Sequence, residues 1–269
     1  TGGAGPDEAG TAAWDPATGR LDTHALGEVD AVVHLAGVGI ADKRWTDAHK
    51  RDIRDSRVGP TAALCRTLAA LPRKPSVLVC ASAIGYYGDR GAEELTEQSA
   101  AGTGFLPEVC VEWERAADAA RDAGIRVVHA RLGIVLSSKG GALAQMLTPF
   151  QFGAGGRLGS GRQYMSWVAL DDVLGAVYHA MRRAEVVGPM NVTGPVPVTN
   201  EEFTATLARV LRRPAVVPVP AFALRALFGE MAGPLLLEGQ RVLPRVLERS
   251  GFGFRSPSLE AALRHALGR

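Results

Sequence analysis

The sequence predicts an α/β protein: a Rossmann-like, doubly wound parallel sheet followed by a smaller, mainly helical C-terminal part. Three observations carry this. Short apolar runs at 28–37, 77–80 and 125–133 end in small or hydroxyl-bearing residues, as buried parallel strands do. Segments of helical periodicity lie between those runs, which is the spacing of βαβ units. From Pro214 onward the texture changes to prolines and leucine clusters without strand-like runs.

Taken in order, residues 1–12 are rich in glycine and acid and read as a loop. Thr1-Gly-Gly-Ala-Gly5 has the composition of a phosphate loop but not its context, because no strand precedes it and Pro6 follows. Trp14 to Asp22 reads as a strand end and turn, and 28–37 as a buried strand closing on Leu35-Ala-Gly37. Over 45–71, Ile53, Val58, Ala62, Leu64 and Leu68 recur at helical spacing, with Pro60 marking a kink or a boundary between two pieces. Val77 to Cys80 is the central strand, and its carboxyl end delivers Ala81, Ser82, Tyr86 and Tyr87. A polar loop (89–104) leads to one helix over 106–123, with Gly124 as its C-cap signal.

The strand 125–133 brings Arg131, Leu132 and Gly133 to the same edge, and a helix over 141–150 precedes a glycine-rich stretch at 153–161. Ser166-Trp-Val-Ala-Leu-Asp-Asp172 reads as a strand that places two acids at the start of a helix over 173–183, where carboxylates suit the positive N-terminal dipole. A short strand follows at 189–193. Thr199 is an N-cap with acids in the next turn, and its helix runs to Leu211. The expected organisation is an α/β domain over 1–150 and a second, mainly helical C-terminal domain over 151–269, with 166–183 returning to the first.

Composition narrows the function. The 269 residues are 46% hydrophobic and 22% charged, with a net charge of +2, which supports a sizeable core and gives no reason to expect nucleic acid or an anionic membrane as partner. Three cysteines without C-x-x-C spacing, Cys65, Cys80 and Cys110, predict buried free thiols in a reducing, cytoplasmic setting. Six scattered histidines offer no metal-ligand spacing. Small-molecule chemistry at the carboxyl edge of the sheet is the remaining class, since ligands of open α/β sheets bind there.

Several strings resemble the extended short-chain dehydrogenase/reductases, and more narrowly their atypical, epimerase-like branch with a small extra C-terminal domain. They are Lys43-Arg-Trp-Thr46, Asp55-Ser-Arg-Val58, Ser82-Ala-Ile-Gly-Tyr-Tyr-Gly88, Gly104-Phe-Leu-Pro-Glu-Val-Cys110, Gly159-Ser-Gly-Arg-Gln163, Pro197-Val-Thr-Asn200 and Gly239-Gln-Arg-Val-Leu-Pro244. The resemblance implies an NADP(H)-dependent oxidoreductase or epimerase, with NAD as the other option, acting on a carbonyl, an alcohol or a sugar nucleotide. Its implied cofactor contacts are Leu35, Ala36, Gly37, Arg57, Ala81, Arg131, Leu132 and Gly133. Ser82, Tyr86 and Tyr87 are the implied catalytic residues, and Gln163 and Trp167 would line the substrate cleft.

Two departures accompany it. The chain is expected to begin after that family's first βαβ unit, roughly thirty to forty residues that cradle the cofactor pyrophosphate. The superfamily's Tyr-x-x-x-Lys pair is also absent, since alignment on Trp113-Glu114 puts Leu106 and Cys110 in its place. A cofactor-binding pseudoenzyme or redox sensor is therefore the alternative expectation. Asp171 and Asp172 are expected to cap a helix, and Cys110 to be a buried thiol rather than a nucleophile.

Overall fold

The computed structural model describes residues 11–16 and 19–269, so the Thr1–Gly5 stretch lies outside the described residues. Four strands, β1 (Ala31–His34), β2 (Val77–Ala83), β3 (Arg126–Leu132) and β4 (Gly188–Val192), form one sheet in the order β4-β3-β2-β1. All three pairings are parallel. Alternation along β2 and β3 sends side chains to two faces, and both are covered. Val77, Val79, Val128 and Ala130 pack with Ala176, Ala180 and Met190 on one side. Leu78, Cys80 and Val127 pack with Leu64, Cys65 and Leu68 on the other. This two-sided burial is why the strands read as unbroken apolar runs. It is the expected doubly wound α/β sheet, and both β4 and the helix before it reach it from beyond residue 150.

Helix α1 (Asp47–Ala70) is a single 24-residue element with Pro60 inside it, not two pieces. Thr46 caps its start by accepting the His49 N–H at 3.2 Å. An internal proline costs about 3 kcal/mol, and the fully buried Ile53, Cys65 and Leu68 on the same helix outweigh that. The helix expected over 106–123 is instead α2 (Phe105–Arg115) and a short turn, Asp118–Asp122, because the backbone bends at Ala117 (φ −90°, ψ 0°). Gly124 does close the segment, at φ +85°. Strand β2 runs through Ala83, and Ser82 lies at its carboxyl end as the sequence predicts.

Helix α3 (Leu170–Arg182) follows the short strand Trp167–Ala169. Its two acids serve the C-terminal part rather than their own helix. Asp172 accepts the backbone N–H groups of Arg255 (2.7 Å) and Ser256 (3.1 Å), and Asp171 pairs with His265 at 2.9 Å. Helix α4 (Asn200–Leu211) starts in a capping box between Thr199 and Glu202, as the sequence predicts. The C-terminal part holds the helices Ala221–Phe228, Arg245–Arg249 and Leu259–Leu267. Its strand Arg241–Val242 pairs in parallel with Glu94–Leu95. Among the described residues, no helix is long and apolar enough to cross a membrane.

Candidate functional site

Register builds the site. Ser82 on β2 stands opposite Arg131 on β3, and Arg131 opposite Asn191 on β4. Three polar residues therefore form one row across the carboxyl ends of three parallel strands, where open α/β sheets bind ligands. Ser82 donates to Glu114 Oε1 at 2.8 Å. Arg131 grips the same carboxylate with two hydrogen bonds, Nε to Oε1 and Nη2 to Oε2, each 2.8 Å. Its Nη1 donates to the Tyr87 hydroxyl at 3.0 Å, and that hydroxyl donates to Asn191 Oδ1 at 2.6 Å. Asn191 Nδ2 donates to the Leu243 carbonyl at 3.0 Å, and its backbone N–H to Glu97 Oε1 at 3.1 Å. Glu97 also accepts the Val246 N–H, so one buried carboxylate pins the sheet to the C-terminal part.

This frame is dry. Ser82, Tyr87, Arg131 and Asn191 are 2%, 0%, 3% and 0% exposed. Burial would lower the Arg131 guanidinium, but the hydrogen bonds and charge of Glu114 outweigh it and hold it raised. Burial pushes the Tyr87 phenol up to about 12, against the opposing pull of Arg131 and Asn191. The same effect, with the Glu114 charge added, pushes the Cys110 thiol up to about 12. Cys65, Cys80 and Cys110 are all free and buried, and Cys110 is no activated nucleophile in this setting.

Tyr86 differs from its neighbours. It sits in the 3-10 turn Ile84–Tyr87, is half-buried, and its ring faces the Arg131 guanidinium carbon at 3.4 Å from the centroid. Its hydroxyl has no protein partner among the described residues. The turn is fixed from behind, because Gly102 N–H donates to the Tyr86 carbonyl at 2.9 Å and a Cβ on Gly102 would strike the Tyr87 carbonyl. Below the turn lie Leu106, which would meet a Cβ on Gly85 at 3.4 Å, and Cys110, whose thiol donates to the Ala83 carbonyl at 3.8 Å. The Tyr-x-x-x-Lys positions are thus packed against β2 and its turn and hold no phenol or amine.

The residues implied for cofactor contact fall into two groups. At the carboxyl end of β1, Leu35 and Gly37 are exposed, Ala36 is half-buried, and Arg57 ties down the loop by donating to the carbonyls of Ile53 and Val38, each at 2.9 Å. At the ends of β2 and β3, Ala81 is buried, and Leu132 and Gly133 are half-buried. Gly133 is a close approach, since a Cβ there would strike the Ser166 carbonyl. The Arg57 side chain lies over Gly37, where a Cβ would meet its guanidinium carbon at 3.2 Å. An exposed apolar residue beside small ones, edged by an arginine, fits the flat rings and ribose of a dinucleotide. Gln163 latches two loops, donating to the Leu158 and Leu236 carbonyls. Trp167 is 1% exposed, with its Nε1 on the Val196 carbonyl, and belongs to the core beside Phe203.

Glu114, Asn191 and Glu97 escaped the sequence reading as site residues. A signal existed for two of them. Glu114 lies four residues after Cys110 on the same helix face, and Asn191 is a polar residue in an otherwise apolar strand. Glu97 stands in a polar loop with nothing to mark it.

A sheet of this topology with its polar row at the carboxyl edge defines a nucleotide-binding α/β fold of the Rossmann type. The chain belongs to the NAD dependent epimerase/dehydratase family, whose pattern it matches over residues 19–193. Residues 219–266 match a domain of unknown function (DUF1731). The chain is 48% identical to an epimerase family protein of Mycobacterium bovis over 95% of this chain and 84% of that one. It is 40% identical to the epimerase family protein YfhF of Bacillus subtilis, over 91% and 80%. Among solved structures it is similar to human epimerase family protein SDR39U1 (isoform 2) with NADPH, at a TM-score of 0.86 and 34% identity over 90% of this chain and 83% of that one. It also resembles a nucleoside-diphosphate sugar epimerase from Corynebacterium glutamicum (TM-score 0.76, 38% identity), covering 95% of this chain and 49% of that one.

Proposed function

We propose that the protein is an NADP(H)-dependent oxidoreductase or epimerase acting in the cytoplasm on a small carbonyl, alcohol or sugar-nucleotide substrate, with Tyr86 as the proton-transferring group. One observation carries the assignment: of the three hydroxyls Ser82, Tyr86 and Tyr87, only that of Tyr86 has no partner among the described residues. Ser82 spends its single proton on Glu114, and Tyr87 spends its own on Asn191. Tyr86 is free to give a proton to a substrate oxygen or take one from it. The preference for the phosphorylated cofactor is supported by the human relative solved with NADPH. Leu35 to Gly37 would carry the ribose side of the cofactor, and Leu132 and Gly133 the nicotinamide side. When bound, the nicotinamide would supply or accept the hydride. Gln163 would shape the substrate cleft through the loops it joins. The near-neutral net charge supports a small-molecule partner rather than nucleic acid or a membrane.

The test is NADPH titration by fluorescence followed by absorbance assays on a panel of carbonyl compounds and sugar nucleotides. Tight binding with turnover of at least one class is the expected outcome, and absence of NADPH binding would overturn it. A second reading, a cofactor-binding protein or redox sensor without turnover, is favoured by Leu106 and Cys110 standing where a tyrosine and a lysine would act. NADPH binding with no turnover on the whole panel would select it.

A further inference from the structure

We propose that Arg131 is the positioning residue of the site, holding the Tyr86 ring from the neighbouring strand; this rests on the role given to Tyr86 above. The guanidinium carbon lies 3.4 Å from the Tyr86 ring centroid, the separation of two stacked planes. Arg131 is itself over-determined: the Glu114 carboxylate fixes its plane through two 2.8 Å bonds, and the Tyr87 hydroxyl fixes a third nitrogen at 3.0 Å. Tyr86 has its backbone tethered through Gly102, and its side chain packs against the apolar cluster of Ile84, Tyr87, Leu95 and Val242, meeting Tyr87 edge-on at 5.3 Å between ring centroids. Apolar packing and an edge contact leave the ring's tilt to the group on its face, and that group is the flat guanidinium.

A lysine could not do this, having no plane to offer the ring. Nor is Arg131 a surface group that meets the cofactor, for it is 3% exposed and lies beneath the ring. Glu114 enters the same role indirectly, because it sets the plane that Arg131 presents. The orienting group for the phenol thus comes from strand β3 in place of a lysine on α2.

The experiment uses the full chain labelled with tyrosine carrying 13C at Cζ, whose four signals are assigned by single Tyr→Phe changes. Two variants are compared with the parent: E114M/R131M, which removes both charges of the pair together, and R131K, which keeps the charge but loses the plane. The Tyr86 signal is expected to move in both, towards that of the exposed Tyr178, while the dissociation constant for NADPH stays within about twofold. On any carbonyl that the parent reduces, kcat should fall about tenfold in E114M/R131M. In a Y86F background the same pair of changes should alter the residual rate by less than about twofold. An unmoved Tyr86 signal in R131K would overturn the proposal, as would a tenfold weakening of NADPH binding, which would make Arg131 a cofactor ligand. Failure of the parent to bind NADPH would count against the functional reading alone, since the Tyr86 signal is read without cofactor.

Discussion

The carboxyl ends of β1 and of β2 to β4 lie on one edge of one sheet, yet they are built in opposite ways. Beyond β1 the chain is open, with Leu35 59% exposed, and its loop is fastened from the side by Arg57. Beyond β2, β3 and β4 one hydrogen-bonded network runs from Ser82 through the half-buried Glu114, Arg131 and Tyr87 to Asn191, and its members other than Glu114 are buried. An open apolar platform suits a ligand that comes and goes, whereas a satisfied buried network suits a scaffold that must hold one geometry. The difference teaches that the most polar part of this edge frames the proposed chemistry, and that Tyr86, standing at its margin, presents it.

Breaking the pair at its cation should have the largest effect. R131M alone leaves the half-buried Glu114 carboxylate without its cation, held by Ser82 alone, and is expected to cost about 3 kcal/mol in urea unfolding. E114M/R131M should recover most of that loss, since apolar replacements of a whole buried pair are often near neutral. A further loss on removing both would show the network is not the electrostatic unit described here.

Y87F comes next. It strands Asn191 Oδ1 and one Arg131 donor, at a cost of about 1–2 kcal/mol. It also gives a pH signature. The folded Tyr87 phenol is held up at about 12, above the unfolded value near 10, so above pH 10 the unfolded chain alone ionises there and gains. The contribution of Tyr87 is thus complete below pH 10 and is lost as the pH rises through about 12. Unfolding curves of parent and Y87F should converge over that window, and parallel curves would contradict the burial.

On the open side the expectation reverses. L35A should leave stability within about 0.5 kcal/mol yet weaken NADPH binding several-fold by titration; a clear loss of stability with unchanged affinity would make that platform structural. Smallest of all is the half-exposed Lys50–Glu230 bridge (2.9 Å) between α1 and the C-terminal part, where K50A should cost about 0.5 kcal/mol or less.

The sheet was legible because both its faces are covered, which forces continuous apolar runs such as Val77 to Cys80. The capping box at Thr199 was legible because its chemistry is local. What stayed hidden depends on register and on distant packing. That Ser82, Arg131 and Asn191 share a row follows only from how three strands separated in sequence align. Pro60 gives a local signal to break a helix, and burial of Ile53 and Leu68 on either side overrides it. Asp172 reads as a helix cap by position, and only the fold brings Arg255 and Ser256 to it. Tyr86 and Tyr87 are adjacent and chemically identical in the sequence, and their division into a presented and a buried phenol comes from the 3-10 turn that carries them.

That division is the central claim, and the turnover of Y86F beside that of Y87F, with NADPH and the best carbonyl of the panel, tests it most directly. The rate of Y86F should fall by about a hundredfold or more at unchanged NADPH affinity, the loss expected for a missing proton donor, while folded Y87F keeps most of the parent rate. Y86F turning over at the parent rate, or Y87F losing the larger share, would contradict it.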